Sequence, residues 1–252
     1  MARDRIDELA DTLLRINSGE LSKHEAGRTL ASISEVELSL AEQRLLERGV
    51  SPGELQGLCK VHLQVLDKQA DNLLEVTGPG HPLHTLVLEH RMILGFLDSL
   101  EEAANTLERT PAWIDGDRAL KDALDIVRDA AHHLVETEKH HAREEKALFP
   151  ALEERGITGP TRIMRLEHAD LWPHKEALND LAQKANPQTY GEVREEIIAH
   201  ARYIIGNLRE HIMKENSILY PAAFQAIVYD AAWEDIKRKC DEIGYCCFTP
   251  EF

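Results

Sequence analysis

"HHAREEKALFP", His140–Pro150, has a counterpart in "HIMKENSILYP", His211–Pro221. Each stretch places a Glu four residues after its leading His (Glu144, Glu215) and a Leu–aromatic pair just ahead of its Pro. A four-residue step turns about 40° around an α-helix and rises about 6 Å, so each His and its Glu face the same way, one turn apart. A single pair of this kind is usually a solvent-facing ion pair contributing a few tenths of a kcal/mol. A Leu–aromatic–Pro ending, taken alone, is packing followed by a helix stop. Two copies in one chain are hard to reach by chance.

The duplication is wider than this pair. The triplet "LEH" occurs at Leu88–Glu89–His90 and again at Leu166–Glu167–His168, so the order along the chain is H, HxxxE, H, HxxxE. These elements fall in four helical segments, about 82–107, 117–154, 161–184 and 190–229, the later ones joined by the Gly/Pro loops "RGITGP" and "ANPQT". Segments of this length with short connections predict an all-α fold, an up-down-up-down four-helix bundle. In such a bundle the inward stripes meet at one depth, and His90, His140, His168 and His211 converge with Glu144 and Glu215. Burying those groups alone is costly, because each carboxylate loses its hydration and each imidazole needs a partner. A pair of metal ions removes the cost. Imidazole and carboxylate donors without thiolate favour iron or manganese over a structural zinc site.

The rest of the chain bounds the reading. Residues 1–76 read as short helices forming a small N-terminal domain. "RIDELADTLLRINSGE" carries Ile6, Leu9, Leu13 and Ile16 on one face, "SISEVELSLAEQRLLERGV" runs from a Ser cap to Gly49, and Ser51-Pro52 opens a third helix. "TGPGHP" at 77–82 marks a boundary; the bundle follows over 80–230, and 231–252 is a tail that begins helically and ends in an irregular Cys-bearing stretch. A net charge of −16 argues against a nucleic-acid partner and against an anionic membrane surface. No run approaches the apolar length of a spanning helix, and four cysteines without a framework spacing point to a reducing cytoplasm.

These motifs resemble the hemerythrin-like (HHE cation-binding) family over about residues 80–230, through "LEHRMILGFLDSL", "HHAREEKALFPALEERG", "LEHADLW" and "REHIMKENSILYP". The resemblance implies a four-helix bundle holding a non-haem di-iron centre with an oxo or hydroxo bridge. It makes His90, His140, Glu144, His168, His211 and Glu215 the ligands, with Glu144 and Glu215 bridging. Oxygen-carrying members have a second His four residues along the third helix. Here that position is Trp172, and the next His, His174, lies on a different face. Six protein ligands and a more open iron follow, a layout similar to di-iron proteins that repair nitrosatively damaged iron–sulfur clusters and to sensors of this fold. "SLAEQRLLERGVSPGELQGLCKVH", with "GHPLHTLVLEH" and "DEIGYCC", resembles the helical domain of uncharacterised function that precedes such bundles in other proteins.

Other candidates are weaker. His84 lies six residues from His90, about 240° round a regular helix, so the two cannot face one metal there. The related family often uses an earlier His on this helix, so His84 could replace or supplement His90; otherwise it is a helix-start surface residue, and His81 ranks below it. Glu145 reads as a solvent-facing charge, His141 as a neighbour of the ligands or a surface residue, and His132 and His133 as structural. Cys59 and His62 form a C-x-x-H step that reads as packing. Cys246 and Cys247 are either redox-active or a small apolar pair. Tyr203 and Tyr220 read as core packing, with donation to a bound oxygen species as the alternative. The function expected is a cytoplasmic metal-binding protein that binds or senses O₂, NO or redox state. The alternatives are a di-iron enzyme or iron-donating repair protein, and an iron-storage or docking bundle. The partners expected are a small gas and, through the N-terminal domain or a homodimer, protein.

Overall fold

The computed structural model describes residues 2–18, 20–21, 33–51 and 69–251, and among them there is no strand. The chain is all-α: a helical bundle with an N-terminal helical domain. The helices are α1 (Ala2–Asn17), α2 (Glu35–Glu47), α3 (Gln69–Val76), α4 (Pro82–Arg109), α5 (Arg118–Glu136), α6 (Glu138–Arg143), α7 (Phe149–Glu153), α8 (Gly159–Lys184), α9 (Tyr190–Lys214), α10 (Tyr220–Ala226) and α11 (Asp230–Ile243). Cys59, His62 and the helix expected after Ser51 lie outside the described residues. The described residues form two compact units. One draws on Met1–Val87, Arg143–Arg165 and Met213–Glu242, the other on Leu88–Ala142, Leu166–Ile212 and Ile243–Phe252.

In the first unit, the apolar stripe read from α1 is the one that packs. Ala10, Leu13 and Ile16 bury against Leu38, Ala41 and Leu45 of α2, with Ile218 closing the cluster. The Ser cap of α2 is Ser34, whose hydroxyl accepts from the Glu37 N–H while the Glu37 carboxylate accepts from the Ser34 N–H. This reciprocal box satisfies two donors that the first turn otherwise leaves open. Beyond the helix end, Gly49 takes φ +91, a conformation other residues adopt only with strain. Gly159, which opens α8, sits so close to α2 that a Cβ there would lie 2.7 Å from the Gln43 Cβ. Gln43 Oε1 accepts from the N–H groups of Thr158 and Gly159.

The repeated Leu–aromatic–Pro endings do not stop their helices. Each is carried by a five-residue π-helical turn, Glu144–Leu148 and Glu215–Leu219. Pro150 and Pro221 lack an N–H, and each ring would clash with the carbonyl four residues back in a regular helix. Widening the turn relieves the clash: the Phe149 N–H reaches Glu144 O and the Tyr220 N–H reaches Glu215 O, five residues back. Each widened turn begins at the Glu of its HxxxE motif, and π-turns of this kind are frequent at functional sites. The segment expected to run unbroken over 117–154 is therefore divided, at Thr137 and at the π-turn. The segment expected over 190–229 is divided at its π-turn and ends at Ala226.

The second unit is the four-helix arrangement, with parts of α4, α5–α6, α8 and α9 burying a shared core that runs from Ile93 and Leu97 to Leu208 and Ile212. Polar contacts set the directions. Arg194 donates to the carbonyls of Leu107 and Glu108, Arg202 reaches Asn105 and Glu108, and Arg209 pairs with Asp98 and Glu101. Positions that rise along α9 fall along α4, so those helices are antiparallel. Arg128 caps the carbonyls of Ala182 and Ala185 while Lys175 reaches Thr137, so α5 and α8 are antiparallel too. This is the alternation predicted from the sequence. No helix of the described residues is long and apolar enough to cross a membrane.

Candidate metal centre

Five imidazoles gather at one end of the second unit's core. His90 comes from early α4, His140 and His141 from α6, His168 from early α8 and His211 from late α9, all buried. Ring centroids follow one another at 4.7 Å (His90–His140), 5.9 Å (His140–His141), 3.8 Å (His141–His168) and 4.7 Å (His168–His211). The antiparallel register puts helix starts beside helix ends, and so brings residues far apart in sequence to one level.

Two of these rings are oriented by carboxylates. The His140 Nδ1–H donates to Glu89 Oε2 at 2.7 Å, and the His211 Nδ1–H donates to Glu167 Oε2 at 2.8 Å. Glu89 and Glu167 are the middle residues of the two "LEH" triplets. The duplication thus has an internal logic: each triplet supplies a histidine and also steers the histidine of the next helix. Sequence reading assigned only the histidines. The carboxylate holds the tautomer with the proton on Nδ1, which turns an Nε2 lone pair inward and raises its basicity as a metal donor. The Nε2 atoms of His168 and His211 lie 3.0 Å apart. Two metal–imidazole bonds of about 2.1 Å meeting at a right angle would separate their nitrogens by about 3.0 Å.

His141, expected as a neighbour of the ligands or a surface group, is a member of the cluster. Its donor atoms and those of His168 and His211 all lie within 4.8 Å of one another. Glu138 Oε1 sits 3.2 Å from the His141 Nδ1 and also accepts from the buried Lys175 ammonium, which donates to Thr137 Oγ1 as well. Burial above all, then His168 and Lys175, pushes His141 well below the usual imidazole range, so the ring is neutral as a ligand must be.

In the first unit, Glu144 and Glu215 are a fully buried carboxylate pair. Burial, then the charge of Glu215 and its hydrogen bond, hold the Glu144 carboxyl well above the usual range, against the opposite pull of the Tyr220 hydroxyl. That hydroxyl donates to Glu144 Oε1 at 2.7 Å. Tyr220, read as core packing, is thus both buried and a polar partner of a candidate ligand. Tyr203 is not core: it is half-buried, stacks on His174 at 3.7 Å and donates to Asp170. His174 in turn sits with its Nδ1 3.0 Å from the His200 Nδ1.

His84 belongs to neither group. Its Nδ1–H donates to the Thr77 carbonyl at 2.7 Å and fastens the turn that opens α4. His81 packs on Trp233 at 4.5 Å, and burial with the nearby His84 brings its ring down to about 4. Glu145 is half-buried, not a fully solvated charge, and its carbonyl accepts from Arg165.

Residues 81–223, more than half of the chain, match the family described as the hemerythrin HHE cation binding domain. Residues 7–72 match a family of unknown function, DUF438. The chain is also 29% identical over 110 residues to the iron-sulfur cluster repair protein YtfE of Edwardsiella ictaluri (strain 93-146), covering 42% of this chain. It spans 47% of the length of that curated relative.

Proposed function

We propose that this chain, which belongs to the hemerythrin HHE cation-binding family, holds two non-haem iron ions and uses them to bind O₂ or NO or to register redox state. The observation that carries this reading is the paired steering of His140 by Glu89 and of His211 by Glu167. A buried imidazole whose outer nitrogen is held by a carboxylate and whose inner nitrogen faces other imidazoles is built to donate to a cation. The donors fit the group: neutral imidazoles, two carboxylates able to bridge, and no thiolate among them, which suits iron, with manganese second. His90, His140, Glu144, His168, His211 and Glu215 are the proposed ligands, and His141 joins them as a further nitrogen donor.

When bound, a diferrous pair supplies an electron-rich centre for a small diatomic ligand. The residues supply the rest. Glu89 and Glu167 fix ring orientation, and Tyr220 holds one Glu144 oxygen so that the carboxylate keeps a set direction. His84 we assign to the turn that opens α4 and not to the metal.

The test is anaerobic reduction followed by O₂ or NO, watched by visible absorption together with the amount of gas consumed. Stoichiometric, reversible spectral change is expected. Continuous consumption of the gas would replace the sensor with an enzyme. A second reading, iron donation to damaged iron–sulfur clusters, is favoured by the likeness to a relative named as an iron-sulfur cluster repair protein. Transfer of iron from the loaded protein to an apo-ferredoxin, with recovery of the cluster spectrum, would select it.

Glu89→Gln and Glu167→Gln are each expected to weaken metal retention on the order of 10–100-fold, the usual cost of losing a carboxylate that orients a ligating histidine. Competition against a chelator measures it. Undiminished retention in both variants would show that the steering has no role in metal binding.

A further inference from the structure

We propose that His132, His133 and Cys247 form a second cation site on the second unit, one that takes a thiophilic ion of the Zn²⁺ type. Their donor atoms lie within 4.8 Å of one another, and the Cys247 Sγ stands 3.5 Å from the His133 Nδ1. Bonds of about 2.3 Å to sulfur and about 2.1 Å to nitrogen, meeting at a tetrahedral angle, would hold those two atoms about 3.6 Å apart. The observed spacing needs almost no adjustment, and the third donor, from His132, lies within 4.8 Å of the other two.

The surroundings fix the central ring. His133 stacks on Phe96 at 4.4 Å and meets Phe248 edge-on at 5.8 Å, so its plane is held from two sides. Asp129 Oδ1 lies 3.6 Å from its Nε2, on the side away from Cys247. His132 and Cys247 are exposed, which gives an ion a way in, and a fourth position stays open to water.

The donor chemistry differs from that of the buried centre, where no sulfur takes part. A thiolate with two imidazoles selects Zn²⁺ over iron or manganese. On binding, the Cys247 thiol gives its proton to solvent, and the sulfur–metal bond replaces the S–H bond. Cys247 lies in the turn closed by the Thr249 N–H on Cys246 O, and the Thr249 hydroxyl donates to Glu89. The ion would therefore pin to α5 the same turn that rests on the carboxylate steering His140.

The test uses the iron-loaded protein with Co²⁺ as a spectroscopic stand-in, followed by Zn²⁺ competition. A thiolate-to-cobalt charge-transfer band is expected, removed by Zn²⁺ and absent in Cys247→Ser. His132→Ala and His133→Ala are each expected to weaken binding on the order of 10–100-fold. Iron content should remain that of the wild type in all three variants, which separates this site from the buried one. No charge-transfer band, a band that survives Cys247→Ser, or affinity unchanged in both histidine variants would overturn the assignment.

Discussion

Replacing His140 or His211 by alanine is expected to leave the purified protein with no more than about half of its wild-type metal, measured as atoms per chain after anaerobic purification. Each substitution does two things. It deletes a nitrogen donor, and it takes from a carboxylate the imidazole it was built to hold. The second effect separates the two variants. Glu89 is 0% exposed and the His140 ring 1%, whereas the Glu167 side chain is 16% exposed. Leaving a buried carboxylate short of a hydrogen-bond partner typically costs about 1–3 kcal/mol, and more when the group is charged. His140→Ala should approach that figure, while His211→Ala should fall short of it because water reaches Glu167. Urea titration of both proteins gives the comparison. Full metal content in either variant would remove that residue from the ligand set, and equal destabilisation would show that burial of the steering carboxylate does not matter.

The helices and their alternation were legible because the chain writes them redundantly. Ile6, Leu9, Leu13 and Ile16 repeat at helical spacing, Gly/Pro loops punctuate the long segments, and His–Glu pairs recur at a four-residue step. Local periodicity carries this information, and local periodicity survives folding. What the sequence hid was pairing across helices. Glu89 and Glu167 stood in plain view inside a repeated triplet, yet a Glu beside a His on one helix points about 100° away from it. Its partner had to be sought on the next helix, at a register only the folded bundle sets. His141 was hidden for a related reason: beside His140 it seemed bound for another face, but the helix break at Thr137 and the Glu138 contact turn it inward. The π-turns were missed because their cause, a Pro six residues after the ligand Glu, reads equally well as a helix end. The duplicated Leu–aromatic–Pro was the available clue, since a mere stop needs no fixed distance from a glutamate.

Stripping the metal is expected to leave Glu144 contributing stability that falls as pH rises, against the opposite slope that the neutral imidazoles of His81 and His141 contribute below about pH 6.5. Glu144 and Glu215 are both fully buried, and burial together with the neighbouring Glu215 holds the Glu144 carboxyl well above its ordinary value of 4.5. In the metal-free protein the native chain therefore retains a proton that the unfolded chain gives up. Stability decreases with pH wherever the native state binds more protons. The stabilising contribution is complete below about pH 4.5 and is lost as pH rises through the raised value, each pH unit removing about 1.4 kcal/mol. A bound cation pair substitutes for the proton and should flatten this dependence. Glu144→Gln in the metal-free protein keeps the shape of the side chain without the charge. At pH 8 it should be more stable than the metal-free wild type by on the order of a few kcal/mol, while failing to retain metal. Thermal unfolding of the metal-loaded, metal-free and Glu144→Gln proteins across about pH 5–8 reads all three curves. A gap between the metal-free wild type and metal-free Glu144→Gln that does not widen with pH over that range would mean that the carboxylate pair finds compensation inside the protein and does not depend on a cation.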